Sequence, residues 1–301
     1  MNNKPQIIYI MADNRSGSTL LENILSKSDE CFSVGELAML KGHLLKNGPG
    51  EKWNWNCSCG KSFNECVFWS PIIKQTFEEN PDNFFTSIKW NFKSKALALN
   101  AVFPFLFKKR ILKIINSDDN KKVVDTLNEL YKSVHKHSGK KFIIDSSKKP
   151  LQALAVYQKT KDFDVKIIWL KRDLRAIATS KSKWKELNKM KKKSNSKRIL
   201  DVFYYRRLCY TVSVMMKRSD LLILDYEALA QHTHEELQKI FESFGMKPFV
   251  TPEYMELIED HTIGGTPGRF TKKPIQFDET WREQFKKDKF AYVMGSVLNK
   301  I

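Results

Sequence analysis

The chain has 301 residues, 42% of them hydrophobic and 29% charged, with 52 Lys and Arg against 34 Asp and Glu for a formal net charge of +18. That apolar content is too high for a disordered tail and too evenly spread for a membrane protein, and the length suits one large domain or two small ones. A charge of this sign and size points to an anionic cofactor, polyanion or surface among the partners.

The start, Met1 to Gln6, is polar, and Ile7 to Met11 is too short an apolar run for a signal-peptide core. It reads instead as a buried strand. Asp13 to Ser18 follows as a polar loop with one glycine, and Leu20, Leu21, Ile24 and Leu25 then recur at helical spacing. Arg15-Ser16-Gly17-Ser18-Thr19 therefore sits between a strand and a helix, where backbone N–H groups and the helix start make an anion cradle. Gly17 lets the chain approach the anion, the hydroxyls add donors and Arg15 adds a fixed charge. The full G-x-x-x-x-G-K-[ST] pattern is absent, since Ala12 stands where the first glycine would be and Ser18 replaces the lysine.

Glu36 follows the first helix and is placed to return toward this loop, so it is the first choice for a general base. A helix N-cap or a surface acid is its ordinary alternative. From about residue 38 to 140 no clear strand is visible, and the stretch reads as helical insertions. It holds Cys57, Cys59 and Cys66, while Cys31 and Cys209 lie outside it. C-x-C is tighter than the usual zinc spacing, so three readings stay open: reduced structural thiols, a disulfide or redox pair, or zinc with a fourth ligand such as Cys31 or His43. Ala96 to Phe107, stopping at Lys108-Lys109-Arg110, is too short to span a bilayer. It reads as a buried helix, or as an interfacial helix that would give peripheral membrane contact.

Lys141 to Ile144 is a second buried strand running into Asp145-Ser146-Ser147-Lys148, and Pro150 suits the first turn of the next helix. Val165 to Leu170 is a third strand, followed by Lys171-Arg172-Asp173 and a helix from Leu174 to about Ser180. Leu221 to Leu224 is a fourth, followed by Asp225-Tyr226-Glu227 and a helix from about Thr233 to Phe244. Alternating strands and helices predict an α/β fold: a mostly parallel P-loop-type sheet, helices on both faces, in a single domain with the helical insertion. The polar clusters after the strands should then face one crevice. Arg172 closes its strand and Ser180 lies about two helical turns on, so the two could grip a phosphate from two directions, the alternative being an Arg172–Asp173 surface pair with a helix-interior serine. The Lys-rich stretch Lys181 to Arg198 reads as a solvated face or an acceptor-side lid.

These motifs, in this order, resemble the sulfotransferases that use 3′-phosphoadenosine 5′-phosphosulfate (PAPS), and most closely the Golgi-like and bacterial branch acting on carbohydrates or other large acceptors. Arg15 to Leu21 resembles that family's 5′-phosphosulfate loop, Leu20 included, and Arg172 to Ser180 its 3′-phosphate element. Val34 to Leu37 is similar to the segment with the catalytic carboxylate. Asp145 to Lys148, Tyr226-Glu227, the run His261 to Gly265 followed by Gly268-Arg269-Phe270, and the C-x-C-G stretch are similar too. Leu174 stands where many members have Pro, and Gly265-Thr266-Pro267 where Gly-Asn-Pro is common.

The resemblance implies PAPS as co-substrate, adenosine 3′,5′-bisphosphate as product, and in-line transfer to a hydroxyl or amine of a glycan, lipid or other acceptor. Arg15 and the loop amides would stabilise the leaving phosphate. No metal is expected in the transfer. His261 is the runner-up base, with a structural role as its alternative. Lys148 could assist the phosphosulfate or be a solvated lysine, and Ser146 and Ser147 could orient donor or acceptor unless they cap the helix at Pro150. Tyr226 could lie against the adenine or be packing; Gly268 and Arg269 would close over the 3′-phosphate or form a surface turn. A small-molecule kinase of the P-loop class and a basic nucleic-acid-binding protein are the rival readings. The imperfect loop opposes the first, and lysines spread along the whole chain with no recognised module oppose the second. A cytoplasmic location without a spanning helix is expected.

Overall fold

The computed structural model describes residues 4–45, 56–77, 85–90, 94–187, 189, 193–255, 261–265, 272–285 and 288–301. Five strands, β1 (Gln6–Ala12), β2 (Cys31–Gly35), β3 (Phe142–Lys148), β4 (Asp164–Lys171) and β5 (Leu221–Asp225), form one parallel sheet in the order β2-β3-β1-β4-β5. A small antiparallel pair, β6 (Tyr254–Met255) and β7 (Lys273–Pro274), stands apart. The expected fold class is found, with all four anticipated strands.

β1 shows why the sheet is covered on both faces. Ile7, Tyr9 and Met11 point into one cluster and Ile8, Ile10 and Ala12 into another, all fully buried. The first cluster is completed by α3 (Trp69–Phe77), α5 (Pro104–Ile115), α6 (Asp118–Ser138), α7 (Pro150–Lys159) and α9 (Asn195–Ser213). The second is completed by α1 (Ser18–Leu25), α10 (Tyr226–Gln231) and α11 (Thr233–Phe244). Each such aliphatic side chain withdrawn from water is worth about 1.5–3 kcal/mol, so a central strand buried on both sides anchors the sheet. A third cluster joins α8 (Leu174–Leu187) and α9 to α12 (Trp281–Phe285) and α13 (Lys289–Asn299). There the Arg175 guanidinium lies between the rings of Trp281 and Tyr292, 4.5 Å from each centroid.

The chain leaves β1 toward β2 on one side, and after β3 it crosses β1 to reach β4 on the other. β1 therefore borders the topological switch point, where parallel α/β sheets open a crevice at their carboxyl ends.

Three sequence expectations are corrected. Cys31–Gly35 is an edge strand that was not anticipated, because Gly35 and the half-buried Phe32 interrupt its apolar pattern. Asp145 to Lys148 belongs to β3 instead of forming a loop after it. Ala96 to Phe107 is not one helix: α4 (Ser94–Val102) ends and Pro104 opens α5, since proline cannot continue a helix but suits its first turn. Leu99, Phe103, Phe105 and Leu106 are exposed while Phe107 is buried, so the segment is neither wholly buried nor one amphipathic helix. Between residues 38 and 140 the described elements are helical, with α2 (Leu40–Leu44) completing the set. The lysine-rich stretch is divided between the end of α8 and the start of α9, with Ser194 capping α9 through the Lys197 amide. No described helix is long and apolar enough to cross a membrane.

Candidate active site

The loop between β1 and α1 turns through two left-handed residues, Arg15 at φ 73° and Gly17 at φ 92°. Gly17 is required twice over, because a Cβ there would stand 2.2 Å from Cδ2 of Tyr226. The Ser16 hydroxyl donates to the Asp13 carbonyl at 2.6 Å and closes the turn. Leu20 and Leu21 both donate their amides to Gly17 O, so they complete the first helical turn, leaving the preceding Ser18 and Thr19 at the N-terminal end of α1 where amides meet anions. Leu20 thus shapes the cradle without offering its own N–H.

Residues from β4 and α8 converge on this loop. Arg15 Nε donates to Ser180 Oγ at 2.9 Å, and Arg172 Nη1 donates to the Arg15 carbonyl at 3.0 Å. Arg172 also pairs with Asp278 at 3.2 Å, yet its buried Nε has no partner. Burial and the neighbouring Arg172 charge together hold the Arg15 pKa below its ordinary value. Two arginines held together, one with an unanswered donor, form a site short of negative charge. The Arg172 side chain is fixed from behind: its guanidinium lies 4.2 Å from the Tyr226 ring centroid, and Arg206 donates to its backbone carbonyl.

Tyr226 is 7% exposed, with its ring covered by Gly17 and Arg172. That is the packing role and leaves little ring for an adenine. Lys181, from the stretch read as solvated or a lid, pairs with Asp13 at 2.6 Å and ties α8 to the loop. Gly268 and Arg269 lie outside the described residues.

On the β2–β3 side, Lys148 holds a left-handed conformation at φ 69°, costly for a residue with a Cβ and a mark of a constrained site. Its Nζ pairs with Glu36 Oε1 at 2.5 Å, and the pair is buried on the lysine side and partly open at the carboxylate. Glu36 occupies the N-cap position of a short turn, Leu37–Met39, but its side chain caps nothing there. Lys149 is also close; burial lowers its pKa, Glu36 and Asp145 pull it back up, and its Nζ bonds Ser87 Oγ.

Ser146 and Ser147 do not face the crevice. Ser146 Oγ donates to Glu22 Oε2 at 2.5 Å, beside Ser33 donating to Glu22 Oε1 at 2.7 Å. Ser147 Oγ accepts the Ala38 amide at 2.9 Å, and neither serine caps α7. Both hydroxyls join β3 to its neighbours, which corrects the substrate-orienting role. Asp145 is fully buried, accepting from Tyr131 Oη at 2.6 Å and from the Ser147 amide; burial raises its pKa to about 6. The buried Glu22 and Tyr131 were not singled out in the sequence, and Asp145 was read as part of an open cluster, because a polar residue on a helix or strand carries no sign of burial.

His261 turns its Nδ1 toward Cys66 Sγ at 3.2 Å and Cys57 Sγ at 3.8 Å, with its ring stacked on Phe68. Burial lowers its pKa. Its Nδ1 is thus taken up by sulfur. Cys31 and His43, the fourth zinc ligands considered, are not in this group; Cys31 starts β2, and the His43 ring lies edge-on to Phe63. No disulfide joins any of the five cysteines.

Fold and site together define a parallel α/β transferase with an arginine-lined anion cradle at the switch point and a carboxylate at the adjoining strand ends. The chain belongs to the sulfotransferase family, whose profile matches residues 5–250, and it is a PAPS-dependent sulfotransferase. Among solved structures, the sulfotransferase domain from the curacin biosynthetic pathway superposes with a TM-score of 0.53 at 15% identity, covering 98% of each chain. The sulfotransferase domain from the Synechococcus PCC 7002 olefin synthase gives 0.55 at 14% identity, covering 99% of this chain and 96% of the other. At these identities the likeness is one of fold. No curated protein sequence matches.

Proposed function

We propose that the enzyme transfers a sulfuryl group from PAPS to a hydroxyl or amine of a glycan, lipid-linked or other anionic acceptor, with Glu36 as the base and adenosine 3′,5′-bisphosphate released. One observation carries this reading: Glu36 and Lys148 are paired at 2.5 Å at the end of β3, and β3 lies beside the strand that feeds the Arg15–Gly17 loop. Lys148 stands in register with Met11, the penultimate residue of β1, so carboxylate and cradle adjoin.

PAPS, when bound, supplies a sulfuryl group on a phosphate leaving group. The residues fit such a polyanion: Arg172 Nε is buried and unanswered, and Arg15 is destabilised as a cation by burial and by the neighbouring Arg172. Arg15 and the start of α1 would hold the 5′ end and stabilise charge on the leaving oxygen; Arg172 and Ser180 would hold the 3′-phosphate. Tyr226 supports Gly17 and Arg172 from beneath. Glu36 would accept the acceptor's proton, with Lys148 holding its carboxylate in place. An open cavity of about 670 Å³ beside Lys149, lined by Ser87, Ile88, Lys89 and Trp90, supports an anionic acceptor with a sugar-like face, since it offers two lysines and an aromatic plane. The same basic character fits a protein working in the cytoplasm at an anionic surface.

The test is calorimetric titration of adenosine 3′,5′-bisphosphate, against ATP with magnesium, into wild type and Arg172→Ala. Metal-independent bisphosphate binding, weakened about 10- to 150-fold in the variant, is expected from losing hydrogen bonds to a charged group, about 1.5–3 kcal/mol. Metal-dependent ATP binding with no bisphosphate preference would remove the reading in favour of a kinase.

A further inference from the structure

The cysteine motif is unused by the transfer reaction, yet it is the most concentrated set of soft ligands among the described residues. Sγ of Cys57, Cys59 and Cys66 and a ring nitrogen of His261 all lie within 4.8 Å of one another. Cys57 and Cys66 are 3.7 Å apart, and Cys59 and Cys66 are also 3.7 Å apart. His261 Nδ1 stands 3.2 Å from Cys66 Sγ and 3.8 Å from Cys57 Sγ. Four ligands around one zinc ion, with Zn–S about 2.3 Å and Zn–N about 2.0–2.1 Å in a tetrahedron, require edges of about 3.8 Å between sulfurs and about 3.6 Å from sulfur to nitrogen. Four of the six edges, at 3.2–3.8 Å, fall around those values, and the other two lie within 4.8 Å.

We propose that Cys57, Cys59, Cys66 and His261 form a closed tetrahedral Zn²⁺ site that clamps the cysteine loop onto the segment following residue 260. Three thiolates and an imidazole select a soft or borderline cation, and four protein ligands leave no position for substrate, so the ion is structural. Binding displaces the thiol protons into solvent, with no change of oxidation state.

The surroundings are built for it. Turns hold the loop in shape: Gly60 donates its amide to Cys57 O, Cys57 donates to Lys61 O, and Cys66 donates to Ser62 O. The two segments are laced together around the ligands. Trp69 Nε1 donates to the His261 carbonyl at 2.5 Å, the Thr262 amide donates to Ser58 Oγ at 2.8 Å, and Ser58 N donates to Thr262 O at 3.2 Å. Phe68 stacks on the imidazole with its centroid 5.4 Å away and the rings 8° apart, fixing the ring plane. Such outer contacts orient metal-bound histidines.

The clamp has a consequence two residues on. Ile263 forms a parallel bridge with Gly35, donating to Val34 O at 3.0 Å and accepting the Glu36 amide at 2.7 Å. Gly35 at φ 72° has no room for a Cβ, which would stand 2.3 Å from Ile263 O. The ion therefore holds the strand that carries the backbone of Glu36, making His261 a positioning residue for it. This last step rests on the role proposed for Glu36; the metal site does not.

The test uses tag-free, full-length protein. Elemental analysis of chain purified without chelator, and after dialysis against Zn²⁺ alone, should give one zinc per chain. Replacement with Co²⁺ alone should give the strong visible d–d absorption of tetrahedral cobalt and thiolate charge-transfer bands. His261→Ala should lose at least 100-fold in zinc affinity, His261→Cys should regain the metal with a changed cobalt spectrum, and Cys31→Ser should keep both. Chelator-stripped protein should lose kcat while bisphosphate affinity, read calorimetrically, stays within about twofold. Folded wild type that binds neither Zn²⁺ nor Co²⁺ and shows all its thiols reduced, or a disulfide in the cluster, would overturn the site. Full metal with unaltered kcat on stripping would overturn only the clamp's effect on Glu36. Failure of bisphosphate to bind would instead count against the sulfotransfer reading, leaving the metal result standing.

Discussion

The two halves of the site are built in different ways. The cradle takes Arg15 to Thr19 from one strand–loop–helix unit and Arg172 to Ser180 from another, joined directly by the Arg15–Ser180 and Arg172–Arg15 hydrogen bonds. The half around Glu36 is assembled from β2, the end of β3, the cysteine loop and the segment at 261–265, which are distant in the chain. Local units keep their geometry through their own backbone turns. Distant segments keep theirs only while every tether holds, so the Glu36 half should be the more easily disturbed.

Several substitutions break or sharpen that contrast. The largest effect is expected from Glu36→Gln, which should lower kcat about 10²- to 10⁴-fold, the usual span for a general base. Bisphosphate affinity, measured by calorimetry, should stay within about twofold; a large loss of binding would show that the halves are not separable.

Asp145 lies at the junction. Its carboxyl pKa is raised by burial from 3.8 to about 6, so the folded state favours the protonated form. The stability it contributes is full below the unfolded value and is lost as pH rises toward 6. Relative to Asp145→Asn, wild type should therefore weaken by about 2 kcal/mol between pH 4 and 6, and by about 3 kcal/mol in all before levelling off above about pH 7. Urea midpoints of both proteins across that range check the sign, and parallel curves would refute it.

Gly17→Ala should weaken the cradle without touching Glu36. The new methyl must displace the Tyr226 ring and hold a left-handed backbone, a strain of order 1–3 kcal/mol. The expected readout is a lower Tm with bisphosphate affinity down roughly 5- to 150-fold. Bisphosphate affinity equal to wild type would mean that the loop tolerates a shifted Tyr226. The smallest effect belongs to Ser147→Ala, which removes the acceptor of the Ala38 amide and should cost about 1 kcal/mol of stability by urea unfolding. Bisphosphate binding should not change, as the hydroxyl is buried away from the cradle.

The difference between the halves also explains what could be read in advance. Ile7 to Met11 followed by a glycine loop and a helical apolar pattern identifies strand, cradle and helix because each signal lies within a few residues. The same holds for the strand before Arg172 and the helix through Ser180. Cys31–Gly35 was not visible as a strand, since an edge strand with a glycine and a half-buried Phe lacks a continuous apolar run. His261 read as a spare base because nothing near it in the chain announces three cysteines 195 or more residues away. Ser146 and Ser147 looked like substrate contacts because a polar cluster after a strand usually opens to solvent; β3 continues through them and turns both hydroxyls inward.

By itself, then, the sequence determined the alternation of elements, the parallel α/β class, the anion-binding loop and the family resemblance. These depend on periodicity, glycine placement and residue type over short spans. Only the tertiary structure decided that Glu36 pairs with Lys148, that Tyr226 supports Gly17 and Arg172, and that His261 faces three thiols. Those outcomes depend on which distant segments the sheet order brings together, and on which polar groups lose their water when it does.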